Sequence, residues 1–137
     1  MTQEKNTAAD HEQDPQPVGE LCLQTIAMPA NTNAMGDIFG GWLVAQMDLA
    51  GSVLATRVAE GRVVTVAIDR MMFIAPVSVG SLVSCYTKLI KIGRTSLQIL
   101  VEVWATPAIA PQRVKVTEGL FTFVAIDENR RTRAVPK

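Results

Sequence analysis

The sequence is poor in histidine and cysteine, and this scarcity excludes several kinds of catalytic chemistry. Of its 137 residues one is histidine, His11, and two are cysteine, Cys22 and Cys85. Because His11 lies in a polar N-terminal stretch, the rest of the chain has no histidine for a Ser-His-Asp or Cys-His nucleophile or for a histidine-based metal site. The cysteines lack metal-ligand spacing, and we expect them to be reduced thiols. If the chain is an enzyme, its base or nucleophile is expected to be a carboxylate, with no metal.

The sequence also has no excess of positive or negative charge and no long apolar run. Thirteen basic residues balance thirteen acidic residues, so no net charge attracts nucleic acid or an anionic membrane, and neither partner is expected. No stretch approaches the ~20 apolar residues of a membrane span, and the polar start shows no secretory signal. Phosphate-binding and dinucleotide-binding glycine motifs are absent. A cytoplasmic protein is therefore expected.

Apolar residues are abundant enough to build one core. Hydrophobic residues make up 48% of the sequence, and the chain length fits a single domain. Residues 1–18 are polar and contain Pro15 and Pro17, which predicts a flexible tail. Residues 19–137 are expected to form the one folded domain.

Hydrophobic periodicity predicts one helix and five strands. In residues 40–60 apolar residues recur at i, i+4, i+7 and i+11, and Gly61 follows as a stop. Strands are predicted at 21–26, 63–73, 82–92, 97–104 and 114–126. In the strand 97–104, Glu102 is expected on the polar face. Short turns make the sheet antiparallel. The pattern indicates an α+β fold in which an antiparallel sheet wraps around one long central helix. Since one helix cannot cover five strands, we expect at least a homodimer.

Asp48 is the carboxylate that the pattern favours as a catalytic group. It lies in the predicted helix between Met47 and Leu49, with the small residues Ala45 and Gly51 one turn away. Small neighbours would let a ligand approach the helix, and a carboxylate partly removed from water is a stronger base than an exposed one. An ordinary solvent-facing acid on an amphipathic helix is the alternative interpretation.

The start of the predicted helix offers a second group of candidates. Gly40 and Gly41 give access to helix N–H groups that have no internal partner and can stabilise an oxyanion. A tight turn into the helix is the other interpretation of the paired glycines. Asn33 and Asp37 precede them and could orient a water or a substrate carbonyl, although turn formation and capping are the commoner roles of these residue types.

A predicted hairpin turn supplies a third group, with a guanidinium, two hydroxyls and backbone donors. It consists of Gly93, Arg94, Thr95 and Ser96. These groups suit phosphate binding, while a solvated hairpin arginine is the commoner case. Three arginines near the C-terminus are expected to be solvated, with assistance to an anionic ligand as the other interpretation: Arg130, Arg131 and Arg133.

The string MPANTNAMGDIFGGWLVAQMDLAGSVLA resembles the signature of the hotdog-fold acyl-CoA thioesterases, P-x-[DN]-T-N-x-x-G-D-[IH]-F-G-G followed by a helix that carries Q-M-D. The resemblance continues through GRVVTVAIDRMMFIAPVSVGSLV, KIGRTSLQILVEVW and TEGLFTFVAID, and it covers about residues 20–136. Small bacterial broad-specificity members and vertebrate cytosolic acyl-CoA hydrolases are the most similar. The sequence departs from the pattern at Asn31 and Met35, which bears on substrate preference more than on catalysis.

This resemblance implies a hotdog fold and the hydrolysis of acyl-CoA to free CoA and a carboxylic acid. No cofactor is implied, since CoA is part of the substrate. By this similarity Asp48 matches the catalytic aspartate, acting as general base or as nucleophile. The stretch Gly40-Gly41-Trp42 matches the place where backbone N–H groups polarise the thioester carbonyl. Residues 93–96 look like part of the CoA-contacting surface.

Family members place the site between two subunits and often assemble as trimers of dimers, so the resemblance implies a hexamer. Two other functions are open on the same fold. Dehydratases of this fold typically use a histidine, which the predicted domain lacks. A non-catalytic acyl-CoA binding or sensing module is the main alternative, and the presence of Asp48 with Gly40 and Gly41 argues against it.

Overall fold

Five strands and one long helix make up the fold in the computed structural model, which describes residues 15–137. The elements are β1 (Glu20–Ile26), a 3-10 turn (Pro29–Asn31), α1 (Gly40–Ala59), β2 (Val63–Phe73), β3 (Leu82–Ile92), β4 (Ser96–Thr106) and β5 (Val114–Ala125). Each predicted boundary lies within two residues of these bounds. Most of the predicted tail, residues 1–14, lies outside the described residues. Within the described part of the chain, α1 is not apolar enough to cross a membrane.

The strands form one sheet in the order β1-β3-β4-β5-β2, and every neighbouring pair is antiparallel. Strand β2 follows the helix but pairs with β5, so β1 and β2 are the two edges of the sheet. The helix contacts all five strands. The predicted α+β fold, a sheet wrapped around a central helix, is confirmed.

The core lies between the helix and the concave face of the sheet. Leu43, Met47 and Ala50 of α1 are buried there, as their helical spacing predicts. Alternate residues of β4 and β5 face them: Leu97, Ile99, Val101, Val103, Phe121 and Phe123. Burying each large side chain of this kind contributes about 1.5–3 kcal/mol, so this contact holds α1 in one position on the sheet.

Gly51 brings the helix unusually close to the sheet. A Cβ atom at this position would lie 3.0 Å from the ring of Phe123, and both Gly51 and Ala55 are buried. The expectation that small residues near Asp48 open the helix to a ligand fits the exposed Ala45. It is wrong for Gly51, because Phe123 occupies that space.

The helix ends one residue earlier than the glycine stop predicts. Glu60 adopts the left-handed conformation with φ 54° and ψ 43°, and the Gly61 N–H donates to Thr56 O at 3.2 Å. Gly61 has a different role, because a Cβ atom there would lie 2.6 Å from Nη2 of Arg133. The expectation that Arg133 is solvated is therefore wrong, since its guanidinium packs over the end of α1.

The outer face of β4 also differs from the expected alternation, because Glu102 is only 4% exposed. Its Oε1 accepts hydrogen bonds from the Val18 N–H at 3.1 Å and from Trp104 Nε1 at 3.0 Å. Nζ of Lys115 lies 3.2 Å from Oε2. Burial by itself raises the pKa of this carboxyl, but the bonds from Trp104, Val18 and Lys115 outweigh burial and hold the pKa below its usual value.

Candidate active site

Asp48 lies half-buried in the middle of α1, and strand β2 orients its carboxylate. The Thr65 hydroxyl donates a hydrogen bond to Oδ1 of Asp48 at 2.5 Å. This bond fixes one carboxylate oxygen and leaves Oδ2 as the oxygen that can accept a proton from a water. An oriented, partly buried carboxylate suits general-base chemistry better than a freely rotating surface acid does.

Thr65 is a residue that the sequence analysis does not single out. In the sequence it is one of several β-branched residues in a predicted strand, where such residues are common for packing reasons. Its contact with Asp48 joins residues 17 positions apart and exists only because α1 docks across the start of β2. The one available signal is a hydroxyl among the apolar residues of β2.

The helix start is formed by two glycines that follow Phe39. The Trp42 N–H already bonds to Phe39 O at 3.1 Å, whereas the N–H groups of Gly40 and Gly41 have no carbonyl one turn earlier in the helix. A Cβ atom on Gly40 would lie 3.2 Å from the ring of Phe73, so a larger residue here would have to displace that ring slightly. Gly41 is exposed, and its N–H lies at the positive end of the helix dipole.

A cleft of about 390 Å³ opens at this helix start. Its walls are partly polar and partly apolar, and they comprise Asn33, Asp37, Ile38, Gly40, Leu43, Phe73, Ile74, Ala75, Pro76 and Val77. Asp48 does not line this cleft. Asp48 lies seven residues beyond Gly41, which is about 10 Å along the helix axis.

Asn33 and Asp37 both face the cleft, and their hydrogen bonds show how the loop is built. Oδ1 of Asn33 accepts the Met35 N–H at 2.9 Å and the Asp37 N–H at 3.1 Å. The backbone of Asn33 also donates to Asp37 O at 2.7 Å. These bonds show the turn-forming role of Asn33. An orienting role of either side chain in catalysis stays a prediction.

The hairpin 93–96 joins β3 to β4 at the other end of the molecule from this cleft. The Gly93 N–H donates to Ser96 O at 2.8 Å, and Thr95 O accepts the Ala125 N–H at 2.9 Å. Ala125 in turn pairs with Val63, the first residue of β2. The cleft lies at Phe73, the last residue of β2, so about 35 Å of strand separates the two places. A single chain therefore does not bring the cleft and the hairpin together, whereas Asp48 contacts Thr65, two residues from the hairpin end of β2.

The cysteines take no part in these three places. Sγ of Cys22 lies 2.9 Å from Oγ1 of Thr87, and Cys85 is completely buried. Burial, with a smaller contribution from Cys22, raises the pKa of the Cys85 thiol to about 12, so it is no nucleophile at neutral pH. Within residues 15–137 no group of three or more potential metal ligands lies together.

The sequence of this chain matches a known protein family. The thioesterase superfamily profile matches residues 35–108. An uncharacterized acyl-CoA thioester hydrolase of Haemophilus influenzae is 52% identical over 122 residues, 87% of this chain and 79% of its own length. The acyl-CoA thioester hydrolase YciA of Salmonella typhimurium is 51% identical over 126 residues, 90% of this chain and 95% of its own length.

Solved structures agree with these sequence matches. The hexameric thioesterase y2039 from Yersinia pestis superposes with a TM-score of 0.86 at 51% identity, covering 89% of this chain and 99% of its own. The hexameric broad-specificity acyl-coenzyme A thioesterase HI0827 superposes with a TM-score of 0.85 at 50% identity, covering 92% of this chain and 87% of its own. This chain therefore belongs to the thioesterase superfamily, within its family of hotdog-fold acyl-CoA thioester hydrolases.

Proposed function

We propose that this chain hydrolyses acyl-CoA to free CoA and a carboxylic acid, with Asp48 as the central catalytic group. The observation that carries the proposal is the Asp48 carboxylate, which is half-buried and held at Oδ1 by Thr65. Relatives about 50% identical over most of the chain are named acyl-CoA thioester hydrolases. One solved structure of HI0827 is a variant in which an aspartate is replaced by alanine.

In the proposed reaction Oδ2 of Asp48 takes a proton from a water as the water oxygen attacks the thioester carbonyl carbon. The N–H groups of Gly40 and Gly41 donate to the carbonyl oxygen as it becomes negative. The adjoining Trp42, which is half-buried and packs against the core, is proposed to border the bound substrate. The carbon–sulfur bond then breaks, and the CoA thiolate takes the proton that Asp48 holds. Trapping an acyl group on Asp48 by rapid quench would instead show that the carboxylate is the nucleophile.

The separation of the three places supports a site that two chains share. The cleft with Gly40, the carboxylate of Asp48 and the hairpin 93–96 lie at the start, the middle and the end of α1. A second copy placed against α1 and the free edge of β2 brings the cleft of one chain to the Asp48 of the other. Arg94 and its neighbours would then contact the CoA phosphates.

The surface of this chain favours such an assembly. Leu49 and Val53 are 55% and 43% exposed on one face of α1, and Val66 is 55% exposed on the edge strand β2. Leu49 and Val53 lie one turn apart on α1, and neighbouring exposed apolar side chains of this kind favour an interface. With hexameric relatives, we propose a homodimer as the unit and a trimer of dimers as the assembly.

The remaining expectations belong to the same proposal. The reaction uses water and the substrate alone, so it needs no metal and no cofactor. The partner is a small-molecule acyl-CoA, with neither nucleic acid nor membrane involved. The free cysteines Cys22 and Cys85 support a reducing compartment, and we propose the cytoplasm.

Thiol release from acyl-CoAs of graded chain length tests the proposal. The wild-type protein should release CoA, and Asp48→Asn, which keeps the size and the Thr65 contact, should lower kcat by at least about a hundredfold. An unchanged kcat in that variant would remove Asp48 from the reaction. If no acyl-CoA is cleaved while CoA raises the melting temperature, the protein is a binding module.

A further inference from the structure

The C-terminal segment, residues 127–137, turns back and lies against the β3–β4 hairpin. Its turn is closed by Oδ1 of Asp127, which accepts the Arg131 N–H at 3.0 Å. The Arg133 N–H then donates to Ala125 O at 3.0 Å, and the Val135 N–H donates to Arg94 O at 2.8 Å. The segment therefore connects the end of β5 to the hairpin.

Arg133 anchors this segment through its side chain as well as its backbone. Its Nε donates to Ile126 O at 3.0 Å. Its Nη2 is buried and has no acceptor among residues 15–137. The guanidinium covers Gly61 so closely that a Cβ atom there would lie 2.6 Å from Nη2. A cation in this place is favoured by the negative end of the α1 dipole.

The C-terminal segment that Arg133 anchors bonds to the backbone of the hairpin. The carbonyls of Arg94 and Thr95 accept bonds from Val135 and Ala125 respectively. An exposed two-residue turn without such bonds moves between conformations, because little else fixes its peptide planes. With both carbonyls bonded, the peptide planes are fixed, and so is the direction in which the exposed Arg94 side chain leaves the turn.

We propose that Arg133 is a positioning residue for the hairpin that contacts the nucleotide part of CoA, an inference that rests on the function proposed above. Arg133 does not touch the substrate in this proposal. Its Nε–H bond and its packing on Gly61 hold the C-terminal segment, and the segment holds Arg94. Removing the bond frees the hairpin, so that binding of the CoA phosphates must first order it.

The test compares two substrates in one variant. Arg133→Met keeps an unbranched side chain as far as the position of Nε and removes the Nε–H donor together with the rest of the guanidinium. Its KM for an acyl-CoA should rise about fivefold, the factor that corresponds to one net hydrogen bond, while kcat stays within a factor of two. With an acyl-N-acetylcysteamine thioester, which has the same thioester but no nucleotide, kcat/KM should equal that of the wild type. A merely structural role would lower activity with both substrates.

Two further variants distinguish the positioning role of the Arg133 Nε–H bond from an effect of positive charge in the C-terminal segment. Arg133→Lys keeps the charge but has a methylene where Nε lies, so it should show the same raised KM. Arg131→Met, which removes one positive charge from an exposed position in the same segment, should behave like the wild type. Wild-type KM in Arg133→Lys, or a raised KM in Arg131→Met, would show that charge alone acts and would overturn the proposal.

Amide hydrogen exchange gives a second measurement that does not need turnover. In Arg133→Lys the Val135 amide should exchange faster, whereas the Val101 amide in the centre of β4 should keep its protection. Unchanged exchange at Val135 together with an unchanged KM would refute the positioning role while thiol release by the wild type leaves the proposed function intact. Absence of thiol release by the wild type would refute the proposed function itself.

Discussion

At the scale of single residues, the pair Asp48 and Thr65 shows how a carboxylate becomes oriented. The helix presents Asp48, the first half of β2 presents Thr65, and their 2.5 Å hydrogen bond restricts the rotation of the carboxylate. A charge-assisted bond of this kind contributes about 1.5–3 kcal/mol. The bond therefore favours one orientation of the carboxylate and leaves Oδ2 without the Thr65 contact.

Replacing Thr65 tests this orientation. Thr65→Val keeps the branched shape and removes the hydroxyl, so kcat should fall about ten- to a hundredfold, the range that corresponds to one bond to a charged group. The melting temperature should fall by several degrees, because the same bond contributes to stability, while the variant remains folded at the assay temperature. Thr65→Ser, which retains the hydroxyl, is the matched control and should keep kcat within a few-fold of the wild type. Equal kcat in the valine variant and the wild type would show that Thr65 does not orient Asp48.

At the scale of elements, Glu102 of β4 binds the N-terminal segment to the outer face of the sheet. This carboxylate is 4% exposed, and three donors surround it: the Val18 N–H, Trp104 Nε1 and Lys115 Nζ. Because these donors hold the pKa of Glu102 below its usual value of 4.5, the folded state binds its proton more weakly than the unfolded state does. The resulting stabilisation is present above pH 4.5 and disappears as the pH falls through the lower, folded-state pKa.

Denaturant unfolding as a function of pH measures this contribution. The free energy of unfolding of the wild type should decrease as the pH falls below about 4.5, the usual carboxyl pKa. Glu102→Gln keeps the shape and cannot titrate, so its unfolding free energy should fall less steeply over the same range. Glu20→Gln, at a solvent-exposed ion pair with Arg57, is the control and should follow the wild type. Parallel curves for Glu102→Gln and the wild type would contradict the assignment.

At the scale of the whole molecule, the cleft and the hairpin 93–96 lie at opposite ends of β2, and the carboxylate of Asp48 lies nearer to the hairpin end. The cleft lies by Phe73, the carboxylate lies by Thr65, and the hairpin lies by Val63. The exposed side chains of Leu49 and Val53 indicate which side of α1 a second copy covers. We expect function to depend on assembly, because the proposed site combines the cleft of one chain with the Asp48 of another.

Sedimentation velocity combined with thiol release tests this dependence. The wild type should sediment as a hexamer. Val53→Glu places a charge in the exposed apolar face of α1, where burying it without a partner is costly, so it should give smaller species and lose most activity. Ile109→Glu makes the same kind of change at a loop residue that is 99% exposed and should affect neither property. An active single chain would refute a shared site.

Much of the fold could be predicted from the sequence, because periodicity records which side of each element is buried. The spacing of Leu43, Met47 and Ala50 predicts one face of a helix, and the alternation in β4 predicts its inward side. Asp48 can be recognised in the sequence because a carboxylate between apolar helical neighbours must either reach solvent or have a function. These features are local, so a few neighbouring residues suffice to show them.

Only the tertiary structure decided what joins distant parts of the chain. The Thr65 hydroxyl bonds to Asp48, the Val18 N–H bonds to Glu102, and Arg133 packs on Gly61. No pattern among neighbouring residues in the sequence predicts any of these contacts. The left-handed turn falls on Glu60 and not on Gly61, where the guanidinium of Arg133 packs. By itself the sequence determined the elements, the buried faces and the family resemblance. Which polar groups meet depended on how α1 and the C-terminal segment dock on the curved sheet, since packing of distant surfaces sets those contacts.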